Sequence, residues 1–160
     1  MSTSLELADG GLADLPAVLA VMESAFDPRF GEAWTLPQCA GLLPMPGVWL
    51  TLARNDGELL GFSLSRIVAD EAELLLLAVR PEAQRGGVGK CLLAQFERAA
   101  IGRGARRLHL EVRDGNQALN LYHSSGFTLV GRRRQYYKGL DGELYDALSL
   151  SRPASVSAEK

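Results

Sequence analysis

The sequence has few residues of the kinds that bind metals or form disulfides. Its 160 residues include two cysteines, Cys39 and Cys91, and two histidines, His109 and His123. Cysteines this few and this far apart exclude a disulfide framework and a Cys-x-x-Cys metal clip. The histidines lack the spacing of metal ligands. We therefore expect reduced thiols, a cytoplasmic protein and no bound metal.

Long apolar runs and an excess of one charge are also absent. The longest apolar stretch, residues 74–79, is far shorter than the roughly 20 residues of a membrane-spanning helix. The N-terminus has neither the basic nor the apolar region of a signal peptide. Seventeen Lys and Arg oppose nineteen Asp and Glu, for a net charge of -2. We expect no membrane contact and no direct nucleic-acid binding.

What is present is the composition of an ordinary globular domain. Hydrophobic residues make up 47% of the chain and charged residues 22%, which is enough apolar material for one core. No internal repeat or linker interrupts the sequence. We predict a single domain over residues 1–151, followed by a flexible, Ser/Ala-rich tail over residues 152–160.

Hydrophobic periodicity and turn residues predict the element order β-α-α-β-β-β-α-β-α-β-β. Hairpins dominate the first half, and a continuous apolar run over residues 73–79 is typical of a central strand covered on both faces. Strands alternate with helices in the second half. It ends with strands over residues 127–131 and 144–150, joined through residues 132–142. This order predicts an α/β fold with a mixed sheet.

A glycine-rich segment joins the central strand to the next helix. Residues 84–90 read Gln-Arg-Gly-Gly-Val-Gly-Lys. A helix start of this kind has unpaired amides and the positive end of the helix dipole, which together bind phosphate. Glycine keeps side chains out of the way, and Arg85 and Lys90 add positive charge. From composition alone, a tightly packed strand-to-helix turn is an equally good interpretation.

The spacing of these glycines favours the phosphate site. A P-loop would need Gly at Gln84 and Ser or Thr at Cys91, and a dinucleotide fingerprint would need Gly at Leu92. Residues 84–89 instead resemble the Q/R-x-x-G-x-G/A signature of the GNAT superfamily of acyl-CoA N-acyltransferases. The resemblance implies the GNAT fold, a mixed, mostly antiparallel twisted sheet flanked by helices, with acetyl-CoA as co-substrate.

The same resemblance implies which residues hold the coenzyme. The strand residues Leu77, Ala78 and Val79 would hold the pantetheine arm and the acetyl carbonyl. The pyrophosphate would lie on the glycine loop, at Arg85, Gly86, Gly87, Val88, Gly89 and Lys90.

A second and longer motif narrows the resemblance to one branch of the superfamily. Residues 110–127 read LEVRDGNQALNLYHSSGF, and GRRRQYY at residues 131–137 and Asp146-Ala147 follow. These segments are similar to the RimI-type enzymes, which acetylate the N-terminal alanine of a small-subunit ribosomal protein. The departure is Leu119, where the branch usually has Ala.

Acetyl transfer to an ammonium group needs a residue that removes a proton. The resemblance assigns this role to Glu111, on the polar face of its strand; the alternative is a surface carboxylate paired with Arg113 or a lysine. It assigns Tyr122 to protonate the departing thiolate; the alternative is a core tyrosine bonded to a carbonyl. Asn116 would help to hold the pantetheine arm, cap a helix, or do both.

Cys91 and the basic run over residues 132–134 each have a functional and a structural interpretation. Cys91 lies where a helix dipole could activate a thiol for an acyl-cysteine route, but we expect it to face the core as a packed thiol. The basic run over residues 132–134 stands beside Tyr136 and Tyr137. We interpret it as a solvated face or as a wall of the acceptor site.

These motifs predict an acetyl-CoA-dependent N-acetyltransferase that works by direct attack in a ternary complex. The resemblance implies that the acceptor is the N-terminal α-amine, on Ala, of a ribosomal or other protein. The alternatives are a small-amine or amino-acid N-acetyltransferase and a non-catalytic acyl-CoA-binding sensor.

Overall fold

The computed structural model describes residues 5–154. Within them, the strands are β1 (Glu6–Gly10), β2 (Val48–Asn55), β3 (Glu58–Val68), β4 (Glu71–Val79), β5 (Arg107–Arg113), β6 (Thr128–Lys138) and β7 (Leu144–Pro153). The α-helices are α1 (Leu15–Ala25), α2 (Leu36–Leu42), α3 (Val88–Gly102) and α4 (Leu119–Ser124). No helix in this part of the chain is long and apolar enough to cross a membrane.

The strands form one sheet in the order β1-β2-β3-β4-β5-β7-β6. Neighbouring strands are antiparallel except β4 and β5, which run parallel. Helices α1 and α3 both pack on β3 and β4, and their apolar residues belong to separate core clusters. The predicted element order and the mixed, mostly antiparallel sheet flanked by helices are confirmed.

A bulge at Leu75 lets both faces of β4 take part in the core. Leu74 and Leu76 pair with the adjacent residues Ser65 and Leu64 of β3, so Leu75 is an extra residue in β4. An extra residue in a strand places the side chains that follow it on the face opposite to the one that regular alternation would give. Leu74 accordingly packs in the cluster that contains α3, and Leu76 in the cluster that contains α1.

The same region of β4 positions a cleft. Strand β4 pairs with β5 only from Glu71 to Leu74, opposite Arg107 to Leu110. Beyond this point the two strands separate, so residues 75–79 and 111–113 have no ladder between them. A gap between parallel strands leaves backbone groups that a ligand can pair with.

The last two strands are longer than the sequence predicts. Residues 132–138, predicted as a connection, belong to β6, and β7 continues past Leu150 to Pro153. Arg152, assigned to the flexible tail, is buried and its Nη1 lies 3.0 Å from Glu97 Oε2. The tail prediction is therefore wrong for residues 152–154, since Ala154 is also buried and donates to the Arg106 carbonyl, and residues 155–160 lie outside the described residues.

Candidate active site

A cleft of about 940 Å³ lies where β4 and β5 separate. One wall is the end of β4 with the glycine loop and the first turn of α3. The other wall is built from the end of β5, the segment leading into α4, the far part of β6 and the α1–α2 loop. The cleft therefore brings together parts of the chain that are distant in sequence.

The β4 side of the cleft presents a strand edge. Leu77, Ala78 and Val79 line the cleft and pair with β3 on their other side. Within residues 5–154, no strand pairs with their cleft-facing edge. Gln84 supports this edge, because its Nε2 donates a hydrogen bond to the Val79 carbonyl at 3.1 Å. Such an edge can pair with the amides of an extended ligand.

The start of α3 is suited to bind an anion. Gly87 is its N-cap with φ of +83°, and no side chain caps the helix. Backbone amides of the first helical turn have no acceptor inside the helix. Gly89 lines the cleft, and a Cβ there would make only ordinary contact with Leu121, at 3.5 Å. The packing of the chain does not require glycine at this position, and the missing side chain leaves room for an anion close to the backbone.

The structure divides the predicted loop residues into two groups. Arg85 and Gly89 line the cleft, while Gly86, Gly87 and Lys90 are exposed beside it. The Val88 side chain is buried in the core with Leu92, so only its backbone can serve a ligand.

Cys91 is placed differently from the expectation. Its side chain is exposed, so the prediction that it packs on the core side is wrong. Val88 and Leu92 are the buried residues in this turn of α3, and Cys91 lies next to them on the helix but outside that face. Cys91 does not line the cleft, which leaves an acyl-cysteine route without geometric support.

Glu111 lies in the cleft with defined partners. Its side chain is 19% exposed, and Oε2 lies 2.8 Å from Arg133 Nε. The Ser149 hydroxyl donates to the same oxygen at 3.1 Å. Neither Arg113 nor a lysine pairs with it among the described residues. Both contacts use Oε2, so among the described residues Oε1 has no hydrogen-bond partner and can receive a proton.

Tyr122 combines a buried ring with a polar group at the cleft. The residue is 6% exposed, and its ring meets Phe127 edge to face at 6.2 Å. Within residues 5–154 its hydroxyl makes no hydrogen bond. The alternative interpretation, a core tyrosine bonded to a carbonyl, is therefore not supported. Burial, and then Tyr137 and Glu32, raise the pKa of Tyr122 well above its usual value. The phenol therefore keeps its proton at neutral pH.

Asn116 has two local partners. Its Oδ1 accepts from the Ala118 amide at 2.8 Å, and its Nδ2 donates to Glu32 Oε2 at 2.8 Å. The N-cap of α4 is Ala118, so Asn116 stabilises the turn before the helix instead of capping it directly. Asn116 also lines the cleft, as its predicted role requires.

Glu32 is a cleft residue that the sequence did not reveal. Its side chain is 9% exposed, and Oε1 lies 3.3 Å from Arg113 Nε. The Arg113 guanidinium also stacks on the Phe30 ring, 3.6 Å from the centroid. Glu32 lies in an irregular α1–α2 loop without periodicity, so no sequence pattern signalled its burial.

The α1–α2 loop rests directly on the far end of β6. A Cβ on Gly31 would overlap the carbonyl of Lys138, and a Cβ on Gly139 would overlap the carbonyl of Arg29. These two glycines permit backbone-to-backbone contact that any side chain would prevent. The loop is thereby fixed as one wall of the cleft.

Two tyrosines and an ion-paired arginine of β6 also belong to the wall of the cleft opposite β4. Tyr136 and Tyr137 both line the cleft. Burial, and then the charges of Glu32 and Glu111, raise the pKa of Tyr137. The basic run is neutralised by carboxylates in part, since Arg132 pairs with Asp114 and Asp146 and Arg133 pairs with Glu111.

These groups suit one reaction type. An open strand edge can hold the amides of a ligand arm, and a helix start can hold its phosphates. A carboxylate and a protonated phenol face the same space and can serve as base and acid. The fold and site together define the class of acyl-coenzyme A-dependent transferases.

Comparison with known proteins identifies the family. The model of the acetyltransferase (GNAT) family matches residues 16–127. The chain belongs to this family and is an acetyl-CoA-dependent N-acetyltransferase. The resemblance seen in the sequence, including its RimI-type branch, is confirmed.

The chain is similar to two curated enzymes and to one solved structure that bear the same activity in their names. The chain is 39% identical over 103 residues to the [ribosomal protein bS18]-alanine N-acetyltransferase of Escherichia coli K12, covering 64% of this chain and 69% of that protein. It is 31% identical over 146 residues to the enzyme of the same name from Haemophilus ducreyi, covering 82% and 98%. The crystal structure of the Escherichia coli ribosomal-protein-S18-alanine N-acetyltransferase superposes with a TM-score of 0.84, at 31% identity and 98% coverage of both chains.

Proposed function

We propose that this enzyme acetylates the N-terminal α-amine of a protein, and that a ribosomal protein beginning with alanine is its principal acceptor. The observation that carries the proposal is that Glu111 and Tyr122 face one cleft with an open strand edge on one side and an aromatic wall on the other. The relatives named for acetylation of bS18 alanine support the choice of acceptor. Action on a ribosomal protein would place the enzyme in the cytoplasm.

Acetyl-CoA is proposed to bind along the β4 wall. The first-turn amides of α3, with Arg85 beside them, would hold the pyrophosphate. The pantetheine amides would pair with the open edge at Leu77, Ala78 and Val79, and Asn116 would contact the arm from the opposite wall. The residues present therefore fit the co-substrate at both its charged and its amide-bearing parts.

The reaction is proposed to proceed without a covalent enzyme intermediate. Glu111 takes a proton from the acceptor ammonium, directly or through water, and the neutral amine attacks the acetyl carbonyl. The carbon–sulfur bond then breaks, and Tyr122 gives its proton to the departing thiolate. The extra proton left on the attacking nitrogen is lost as the amide forms and restores the Tyr122 phenol, directly or through water. An α-amine has a pKa of about 7.7–8.0 against about 10.4 for lysine, so a carboxylate base suits the α-amine better.

Tyr122→Phe tests the proposed acid. The substitution removes only the hydroxyl, which makes no hydrogen bond within residues 5–154, so the melting temperature should stay close to that of the wild type. We expect kcat to fall about 10²-fold, the lower range for a positioned acid, with acceptor KM little changed. Steady-state kinetics and thermal denaturation measure both. A lower melting temperature with unchanged kcat would show that the hydroxyl is structural.

The acceptor is tested with synthetic peptides. We expect acetyl-CoA-dependent turnover of a peptide that begins with Ala, and mass spectrometry should place the acetyl group on its α-amine. The matched control is the same peptide with a formylated N-terminus and an internal lysine, which should not react. Acetylation of the lysine, or turnover of free small amines only, would contradict the N-terminal assignment and favour a lysine or small-amine acetyltransferase.

A further inference from the structure

Strand β6 contains a large bulge next to the cleft. Arg133 pairs with Ala147 of β7, but the next paired residue is Tyr137, opposite Tyr145. Residues 134–136 therefore stand opposite the single residue Asp146, which leaves two extra residues in β6. Gln135, at the centre of the bulge, has φ of +54°, in the left-handed region that a residue with a Cβ rarely adopts.

Asp146 holds the bulge through its side chain. Oδ1 accepts a hydrogen bond from the Gln135 amide at 2.9 Å, and Oδ2 accepts one from Arg132 Nη1 at 2.7 Å. The same Arg132 nitrogen donates to Asp114 Oδ2 at 2.9 Å. Hydrogen bonds to a charged carboxylate are stronger than those between neutral groups. The strained backbone of Gln135 is thus fixed by the residue that faces it across the strand pair.

The bulge determines where Tyr137 lies. A strand advances about 3.3 Å per residue. Because two of the residues between Arg133 and Tyr137 lie outside the ladder, Tyr137 is about 7 Å closer to Arg133 along β6 than it would be in a regular strand. Arg133 pairs with Glu111. Tyr137 lines the cleft and takes the place on the ladder that Gln135 would occupy in a regular strand.

We propose that Asp146 is a positioning residue for the acceptor, because it holds the β6 bulge that places Tyr137 in the cleft that Glu111 also lines. The inference rests on the proposed function, and it adds that the acceptor amine enters on the side of the cleft formed by Tyr137, opposite the β4 wall proposed for acetyl-CoA. It assigns Asp146 no contact with either substrate. Its loss is expected to affect the acceptor and not acetyl-CoA, whose proposed wall is built from β4 and α3.

Asp146→Ala should lower kcat/KM for the acceptor about tenfold, because a charge-assisted hydrogen bond to the backbone is lost. The KM for acetyl-CoA should stay within about twofold of the wild type. Asp146→Asn keeps an oxygen for the Gln135 amide and should stay within about threefold. Asp141→Ala is the matched control, because Asp141 also accepts from a backbone amide in this hairpin, that of Glu143, but away from the bulge.

A rescue variant distinguishes loss of the bulge from a general loss of folded structure. Glycine adopts the left-handed conformation readily, so Gln135→Gly should restore most of the acceptor kcat/KM in the Asp146→Ala background. Amide hydrogen exchange at residue 135, followed by NMR, reports the bulge without any turnover. It should be faster in Asp146→Ala than in the wild type and in Asp141→Ala.

Three outcomes would overturn the proposal: unchanged acceptor kinetics in Asp146→Ala, an equal loss in Asp141→Ala, or a matching rise in the KM for acetyl-CoA. Failure of the proposed function is a separate result. It would appear as a wild-type enzyme that acetylates no peptide N-terminus, while exchange at residue 135 would still show whether Asp146 holds the bulge.

Discussion

Glu111→Gln is expected to lower kcat/KM for the acceptor by about 10²–10⁴-fold, the range typical of a positioned base, while the affinity for coenzyme A stays unchanged. The amide has nearly the shape of the carboxylate and can still accept from Ser149, but it cannot take a proton from an ammonium group. Steady-state kinetics with an Ala-initiated peptide and calorimetry with coenzyme A measure the two quantities.

Glu97→Gln is the matched control for this substitution. Glu97 is 21% exposed and lies 3.0 Å from Arg152, much as Glu111 is 19% exposed and lies 2.8 Å from Arg133. It lies on α3, outside the lining of the cleft. Loss of an arginine-paired carboxylate alone should therefore leave turnover near the wild-type value. A fall of less than about threefold in Glu111→Gln would return Glu111 to the role of a structural ion-pair partner.

Local sequence patterns predicted the part of the site that lies on regular elements. Glu111 alternates with buried neighbours on β5, and the Tyr122 ring is buried in α4 as the pattern of its helix indicated. The glycine loop follows a strand and begins a helix, as its spacing requires. In each case local spacing predicts the element and the burial of the residue, whereas its role in the site is what the family resemblance implies.

The features that the sequence did not predict depend on contacts between distant residues. Glu32 bonds to Asn116 across 84 positions, and no periodicity in its loop marks it. The bulge at Leu75 lies within an unbroken apolar run, where alternation cannot be read. The length of β6 was missed because it is an exposed edge strand with a bulge, so its residues do not alternate between buried and exposed.

The direction of Cys91 was missed for a related reason. Hydrophobic spacing identifies a helix face, but a small polarizable residue beside that face fits either environment. In the structure Val88 and Leu92 fill the core, and Cys91 is left in solvent. The exposed thiol lies beside the glycine loop without entering the cleft.

Gly89→Glu is expected to abolish coenzyme A binding without unfolding the protein. Gly89 is in the first turn of α3 and lines the cleft, and its φ lies outside the left-handed region that favours glycine. A glutamate there would place a carboxylate where the pyrophosphate is proposed to lie. Two like charges about 4 Å apart near a protein surface repel by about 4 kcal/mol, which corresponds to roughly 10³-fold in affinity.

Folding should tolerate this substitution, since an acidic residue in the first turn of a helix interacts favourably with the helix dipole. The melting temperature is therefore expected to stay level or rise while calorimetry detects no coenzyme A binding. Gly89→Gln has nearly the same bulk without the charge and should bind more tightly than Gly89→Glu. Gly87→Glu is a poorer test because Gly87 has φ of +83°, so lost binding could reflect backbone strain. Unchanged coenzyme A affinity in Gly89→Glu would mean that the phosphates bind away from the start of α3.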